Sequence, residues 1–92
     1  MKNQVRPPVA KTRAQPAYPE FARRMRYSGT AVLRILVDET GSVTEAAPED
    51  NSARKEFLAA AIKAVRTWTY SPATKNGVPV KTRITVRIVF QP

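Results

Sequence analysis

Thr82-Arg83-Ile84-Thr85-Val86-Arg87-Ile88-Val89-Phe90 is the stretch whose reading decides the fold. Thr82, Ile84, Val86, Ile88 and Phe90 fall on one side of an extended chain, and Arg83, Thr85 and Arg87 fall on the other together with the preceding Lys81. This period of two predicts a β-strand with one buried face and one wet, positive face. A strand buried on one face only belongs in an antiparallel sheet. A partner lies upstream, where residues 30–38 alternate in the same way. Ala31, Leu33, Ile35 and Val37 share one side, with Arg34 and Asp38 on the other. Asp38-Glu39-Thr40-Gly41 has the composition of a hairpin loop with glycine in a left-handed conformation. Ser42-Val43-Thr44-Glu45-Ala46-Ala47 reads as its weaker antiparallel partner, which Pro48 is expected to stop from pairing further.

Two helices frame these strands. Pro19 suits a first helical position, and Glu20-Phe21-Ala22-Arg23-Arg24-Met25-Arg26 follows as a short helix with Phe21 and Met25 on one face. Phe57, Leu58, Ala61, Ile62, Val65 and Trp68 recur at three- and four-residue steps, which predicts a helix capped by Asn51 or Ser52 and ended by Tyr70-Ser71-Pro72. Lys75-Asn76-Gly77 marks a turn into the last strand. The expected fold class is therefore α+β: a two-layer domain with a three-stranded antiparallel sheet and two helices packed on one face. The last strand is expected beside the first, leaving its other edge open.

The chain has 92 residues, enough for one small domain, and 16 Lys+Arg against 7 Asp+Glu give a net charge of +9. The charge divides as +6 over residues 1–27, −1 over 28–71 and +4 over 72–92. Half of the eight prolines fall in the first block, and nothing before Tyr18 repeats apolar residues at helical or strand spacing. Residues 1–14 accordingly read as an extended, basic linker bearing Lys2, Arg6, Lys11 and Arg13, with the domain over residues 15–92. The longest apolar run, residues 31–37, is interrupted by Arg34 and is far shorter than the ~20 residues of a membrane helix.

Cysteine and histidine are absent, which removes thiol nucleophiles, disulfides, thiolate zinc sites and the commonest general base. The seven carboxylates are scattered among turns, helix starts and one strand, so the chain reads as non-enzymatic, with no metal and no cofactor. Of the seven aromatics, Tyr18, Phe21, Tyr27, Phe57, Trp68, Tyr70 and Phe90, only Phe90 lies in a strand, and it faces the core. A stacking platform for bases is missing, and no nucleic-acid partner is expected. What the pattern does offer is an unpaired strand edge, which binds extended peptides by main-chain hydrogen bonding or pairs with a second copy. The alternative is a basic envelope or nucleic-acid binding module whose edge has no partner.

At the level of motifs the sequence resembles the C-terminal domain of TonB. Gln15-Pro16-Ala17-Tyr18-Pro19 is similar to the family's Gln-Pro-x-Tyr-Pro motif. Gly29-Thr30-Ala31-Val32 and Val37-Asp38-Glu39-Thr40-Gly41-Ser42-Val43 resemble its Gly-x-Val and Val-Asp-x-x-Gly-x-Val hairpin. The run from Ala60 through Trp68-Thr69-Tyr70-Ser71-Pro72 resembles its helix ending in Trp-x-Tyr/Phe-x-Pro, and Asn76-Gly77-Val78-Pro79-Val80 its turn into the last strand. The resemblance spans about residues 15–90. It implies a periplasmic domain of an inner-membrane-anchored protein of Gram-negative bacteria, working with an ExbB–ExbD-type complex through an upstream anchor. It implies further that the domain takes up the TonB box of outer-membrane receptors as an added strand, with force drawn from the proton motive force driving siderophore or nutrient uptake. Carried onto this sequence, the pairing runs along Arg83, Ile84, Thr85, Val86, Arg87, Ile88 and Val89, with Gln15, Pro16 and Tyr18 near the box and receptor plug. Ala17 stands where some members carry Gln, and Phe21 where some carry a basic residue. Similar domains occur in signalling proteins and in TolA, so the resemblance implies the fold more directly than the pathway.

Overall fold

A computed structural model describes residues 4–92. Met1, Lys2 and Asn3, and with them the first part of the expected linker, lie outside the described residues. The elements in chain order are β1 (Val5–Arg6), β2 (Val9–Thr12), α1 (Glu20–Arg24), β3 (Gly29–Val37), β4 (Val43–Pro48), α2 (Lys55–Val65), β5 (Thr69–Ser71), β6 (Ala73–Lys75), β7 (Val78–Val80) and β8 (Thr82–Phe90).

The centre is the expected three-stranded antiparallel sheet, in the order β4-β3-β8. β3 and β8 pair along their whole length, from Gly29 opposite Phe90 to Val37 opposite Thr82. The alternation reads out as burial: Ala31, Leu33, Ile35 and Val37 are fully buried, and Val86, Ile88 and Phe90 nearly so. Against this face α2 packs Phe57, Leu58, Ala61 and Val65. Phe57 stacks on Phe90 with centroids 4.5 Å apart, which joins helix to sheet, and burial of each such ring contributes about 1.5–3 kcal/mol.

The sheet content departs from the expectation of a single sheet. Two further small sheets are present, one of three strands in the order β1-β6-β7 and one of two, β2-β5. The stretch read as a linker is extended but not free, because β1 pairs with β6 and β2 with β5, both antiparallel. Every residue of β1 and β2 is exposed, so main-chain pairing leaves no apolar alternation to betray it. The turn at Asn76 and Gly77, both at positive φ, closes β6 onto β7.

Both helices are shorter than expected. α1 ends at Arg24, and it is Ala22 that enters the core, while Phe21 and Met25 are half exposed. α2 begins at Lys55 without a side-chain cap, since the Asp50 carboxylate accepts instead from the N–H and hydroxyl of Ser52 in the preceding turn. It ends at Val65, and Thr69–Ser71, expected at the helix terminus, forms β5. Pro48 also behaves differently. The Glu49 N–H donates to the Val32 carbonyl at 2.8 Å, so pairing continues past the proline, whose nitrogen points away from β3.

The β3–β4 loop is locked by Gly41. Its φ is +88°, and a Cβ there would lie 1.8 Å from the Tyr70 carbonyl oxygen. The Gly41 carbonyl in turn accepts from the Tyr70 N–H at 2.9 Å, which fastens the hairpin loop to β5.

Candidate functional site

The register decides which atoms β8 presents outward. In an antiparallel strand, residues alternate between turning both main-chain groups to one neighbour and both to the other. Because Val32 bonds Glu49, the even-numbered residues of β3 face β4 and the odd-numbered ones face β8. Across the β3–β8 register, β8 then turns Thr82, Ile84, Val86, Ile88 and Phe90 toward β3. The N–H and C=O groups of Arg83, Thr85, Arg87 and Val89 face the open edge.

Beside the C-terminal half of that edge runs the segment of residues 13–18. Tyr18 anchors one end: its hydroxyl donates to the Tyr27 carbonyl, and its ring meets Phe57 and Phe90 edge-on at 5.7 and 5.8 Å. At the other end the Trp68 indole N–H donates to the Ala14 carbonyl at 2.8 Å, and the Arg13 guanidinium lies 4.5 Å from the Trp68 ring centroid. A buried tryptophan needs an acceptor for its N–H, and this one finds it in the segment that crosses it.

Between this segment and β8 lies a cleft of about 600 Å³. Arg13, Ala14, Gln15, Pro16, Tyr18 and Trp68 form one side, and Arg87, Ile88, Val89, Phe90 and Gln91 the other. Its rim is basic through Arg13 and Arg87, and no carboxylate lines it among the described residues. Burial pushes the nearby Tyr70 phenol above its ordinary value, opposed by the charge of Arg13, so it stays protonated at neutral pH.

The structure thus brings Gln15, Pro16 and Tyr18 together with Arg87, Ile88 and Val89. Arg83, Ile84, Thr85 and Val86 lie farther along β8, outside the cleft; Arg83 sits at the opposite end, 3.7 Å from the Glu45 carboxylate in an exposed ion pair. Ile84, Val86 and Ile88 turn side chain and main-chain groups inward alike. Sequence reasoning missed Arg13, Ala14, Trp68, Phe90 and Gln91 as lining residues. The one usable signal was the Trp68 N–H, which announces a partner without naming it. Among the described residues no group of three or more His, Cys, Asp and Glu is placed to hold a metal, and no helix is long and apolar enough to cross a membrane.

Residues 14–92 match the family described as Gram-negative bacterial TonB protein C-terminal. The chain is 30% identical over 86 residues to Protein TonB of Vibrio cholerae, covering 94% of this chain and 35% of that protein. It is 34% identical over 76 residues to Protein tonB2 of Pseudomonas aeruginosa, covering 83% and 28%. With Protein TonB of Xanthomonas campestris pv. campestris it shares 33% over 75 residues, covering 82% and 34%. The chain spans about a third of the length of the curated relatives it matches. With the hairpin, the helix ending before Trp68 and the paired last strand in place, the chain belongs to the family of Gram-negative TonB C-terminal domains.

Proposed function

We propose that this domain couples energy to transport in the periplasm by grasping the TonB box of an outer-membrane receptor as a strand added to β8. The anchor and the ExbB–ExbD-type proton-driven complex would act through chain outside the region matched here, and siderophore or nutrient uptake is the process served. The observation that carries the reading is the outward set Arg83, Thr85, Arg87 and Val89, whose last two members open into the cleft walled by Gln15, Pro16 and Tyr18. An extended segment lying there satisfies main-chain groups that otherwise face water.

Four outward residues offer four N–H and four C=O groups. At a net ~0.5–1.5 kcal/mol per bond, full pairing returns roughly 4–12 kcal/mol, against association costs of about 4–15 kcal/mol. Binding is therefore weak at equilibrium. Load applied parallel to paired strands is shared by all the bonds, so a weak complex still bears force briefly.

The test is a titration of the isotopically labelled 92-residue chain with a synthetic TonB-box peptide and a scrambled control, followed by backbone amide shifts. The expected result is sequence-dependent shifts at Arg83, Thr85, Arg87 and Val89 and at Gln15 and Tyr18. Equal response to both peptides, or shifts confined to other surfaces, overturns the reading. Salt dependence separates a phosphate-binding mode, which falls steeply with ionic strength and tolerates many sequences.

A further inference from the structure

We propose that residues 4–12 form a detachable clamp whose docking builds the second wall of the cleft, so that clamp docking and cleft occupancy are thermodynamically coupled. The coupling rests on the reading of the cleft as the seat of an extended segment; the clamp itself rests on geometry alone.

The wall residues Arg13, Ala14, Gln15 and Pro16 pair with no strand of their own. Tyr18 holds them downstream, and upstream they depend on Trp68 and on the clamp. The clamp is held by main-chain pairing: Val9 opposite Ser71, Ala10 opposite Tyr70, Val5 opposite Lys75 and Arg6 opposite Thr74. To this are added the Thr12–Thr69 hydroxyl pair at 2.7 Å and the Asn76 N–H donating to the Gln4 carbonyl at 2.7 Å. All of residues 4–12 are exposed except Pro8, which is half-buried, and Pro7-Pro8 splits the pairing into two short ladders. Segments with exposed hydrogen bonds and little apolar burial open at a small fraction of the global unfolding free energy. An occupant that touches residues 13–16 binds the docked form better, and by linkage it stabilises docking in return.

The path of the chain gives this coupling a direction. Gln4 lies opposite Asn76 at the tip of the β6–β7 hairpin, and the clamp runs from there down to Thr69 before reaching the cleft. Tension on the chain N-terminal to Gln4 therefore loads the clamp first and the cleft wall second.

The absence of cysteine makes the test clean. Because Asn76 bonds Gln4, Val5 and Lys75 form the next, non-hydrogen-bonded pair, whose close approach suits a disulfide. Val5→Cys with Lys75→Cys locks the clamp when oxidised and frees it on reduction. Arg6→Pro loosens it by removing an N–H that faces Thr74, with Arg6→Ala as the charge control; none of these positions lines the cleft. Exchange of the Trp68 indole proton reports the wall directly, and β3 amide signals report that the sheet stays folded. The expected order is oxidised slowest, wild type between, Arg6→Pro fastest. Dissociation constants for the TonB-box peptide follow the same order, with roughly threefold or more between the extremes, since apparent affinity scales with the docked fraction. Equal exchange in all forms overturns the clamp, and unequal exchange with equal affinity overturns the coupling. Failure of the peptide to bind any form, with exchange still following the clamp, refutes the occupant and leaves the clamp standing.

Discussion

Proline at position 87 is the most direct probe of the outer edge. Arg87 turns its N–H outward, so Arg87→Pro removes an edge donor and leaves every β3–β8 hydrogen bond in place. Loss of one or two edge bonds at ~0.5–1.5 kcal/mol each weakens an added strand by roughly 2- to 150-fold. Arg87→Ala isolates the charge, which acts mainly on rate and salt dependence. Ile88→Pro is the reciprocal control. It removes an inward N–H facing Ala31 together with a side chain that is only 6% exposed, and it is expected to unfold the sheet. Calorimetric titration with the TonB-box peptide, beside a thermal melt of each variant, separates the two effects. A folded Arg87→Pro chain that binds like wild type refutes the argument, and so does an Ile88→Pro chain that folds normally while Arg87→Pro unfolds.

Other outcomes follow from the turns and caps. Gly41→Ala forces a side chain into left-handed backbone and against the Tyr70 carbonyl, which costs about 1–3 kcal/mol, and a melt should fall by roughly 5–20 °C. Arg26 sits at φ 57° just past α1, with the Tyr27 N–H donating to the Ala22 carbonyl at 2.9 Å; Arg26→Gly relieves that conformation and should stabilise by about 1 kcal/mol in denaturant titration. The Asp38 carboxylate accepts from the Thr40 hydroxyl and from the Ser42 and Thr40 N–H groups, and these hold it below its ordinary value of 3.8. Its contribution to stability is thus complete above that value and is lost as pH falls through the lower folded value. Asp38→Asn should flatten that part of a melting curve series between neutral and acid pH, and parallel series for the two proteins would count against the loop's role.

What the sequence discloses and what it hides follow one physical distinction. Side-chain alternation is written in residue types, which is why Leu33, Ile35 and Val37 were legible as a buried face opposite Val86 and Ile88. The recurrence of Phe57, Leu58, Ala61 and Val65 disclosed α2 in the same way. Main-chain pairing with exposed side chains leaves no such trace, so β1 and β2 went unread. Strands β5, β6 and β7, three residues each, are too short to display an alternation even where Tyr70 and Ala73 are buried. The helix start was missed because Asp50 and Ser52 satisfy each other in a turn before Lys55. At the site, period told which way the side chains of β8 point. The direction of each N–H depends on the neighbour's register, and the Val32–Glu49 bond reveals it. Trp68 and Ala14 meet across 54 residues through a carbonyl that any residue type supplies.

The proline at the end of β4 sets a number. Pro48 directs its nitrogen outward, and a register shift opposite Leu36 and Val37 further roughens that rim, so the central sheet has one receptive margin and one blunted margin. Open-ended stacking of sheets requires two. Two copies joined β8 to β8 present only the Pro48 margins of their central sheets, and extension of that sheet stops at the pair. The central sheet therefore has a valence of one: under the proposed function, a receptor segment and a sister copy would compete for the same place. Self-association through β8 would then act as a concentration-dependent competitor of the proposed receptor binding, and would not extend the central sheet beyond two copies.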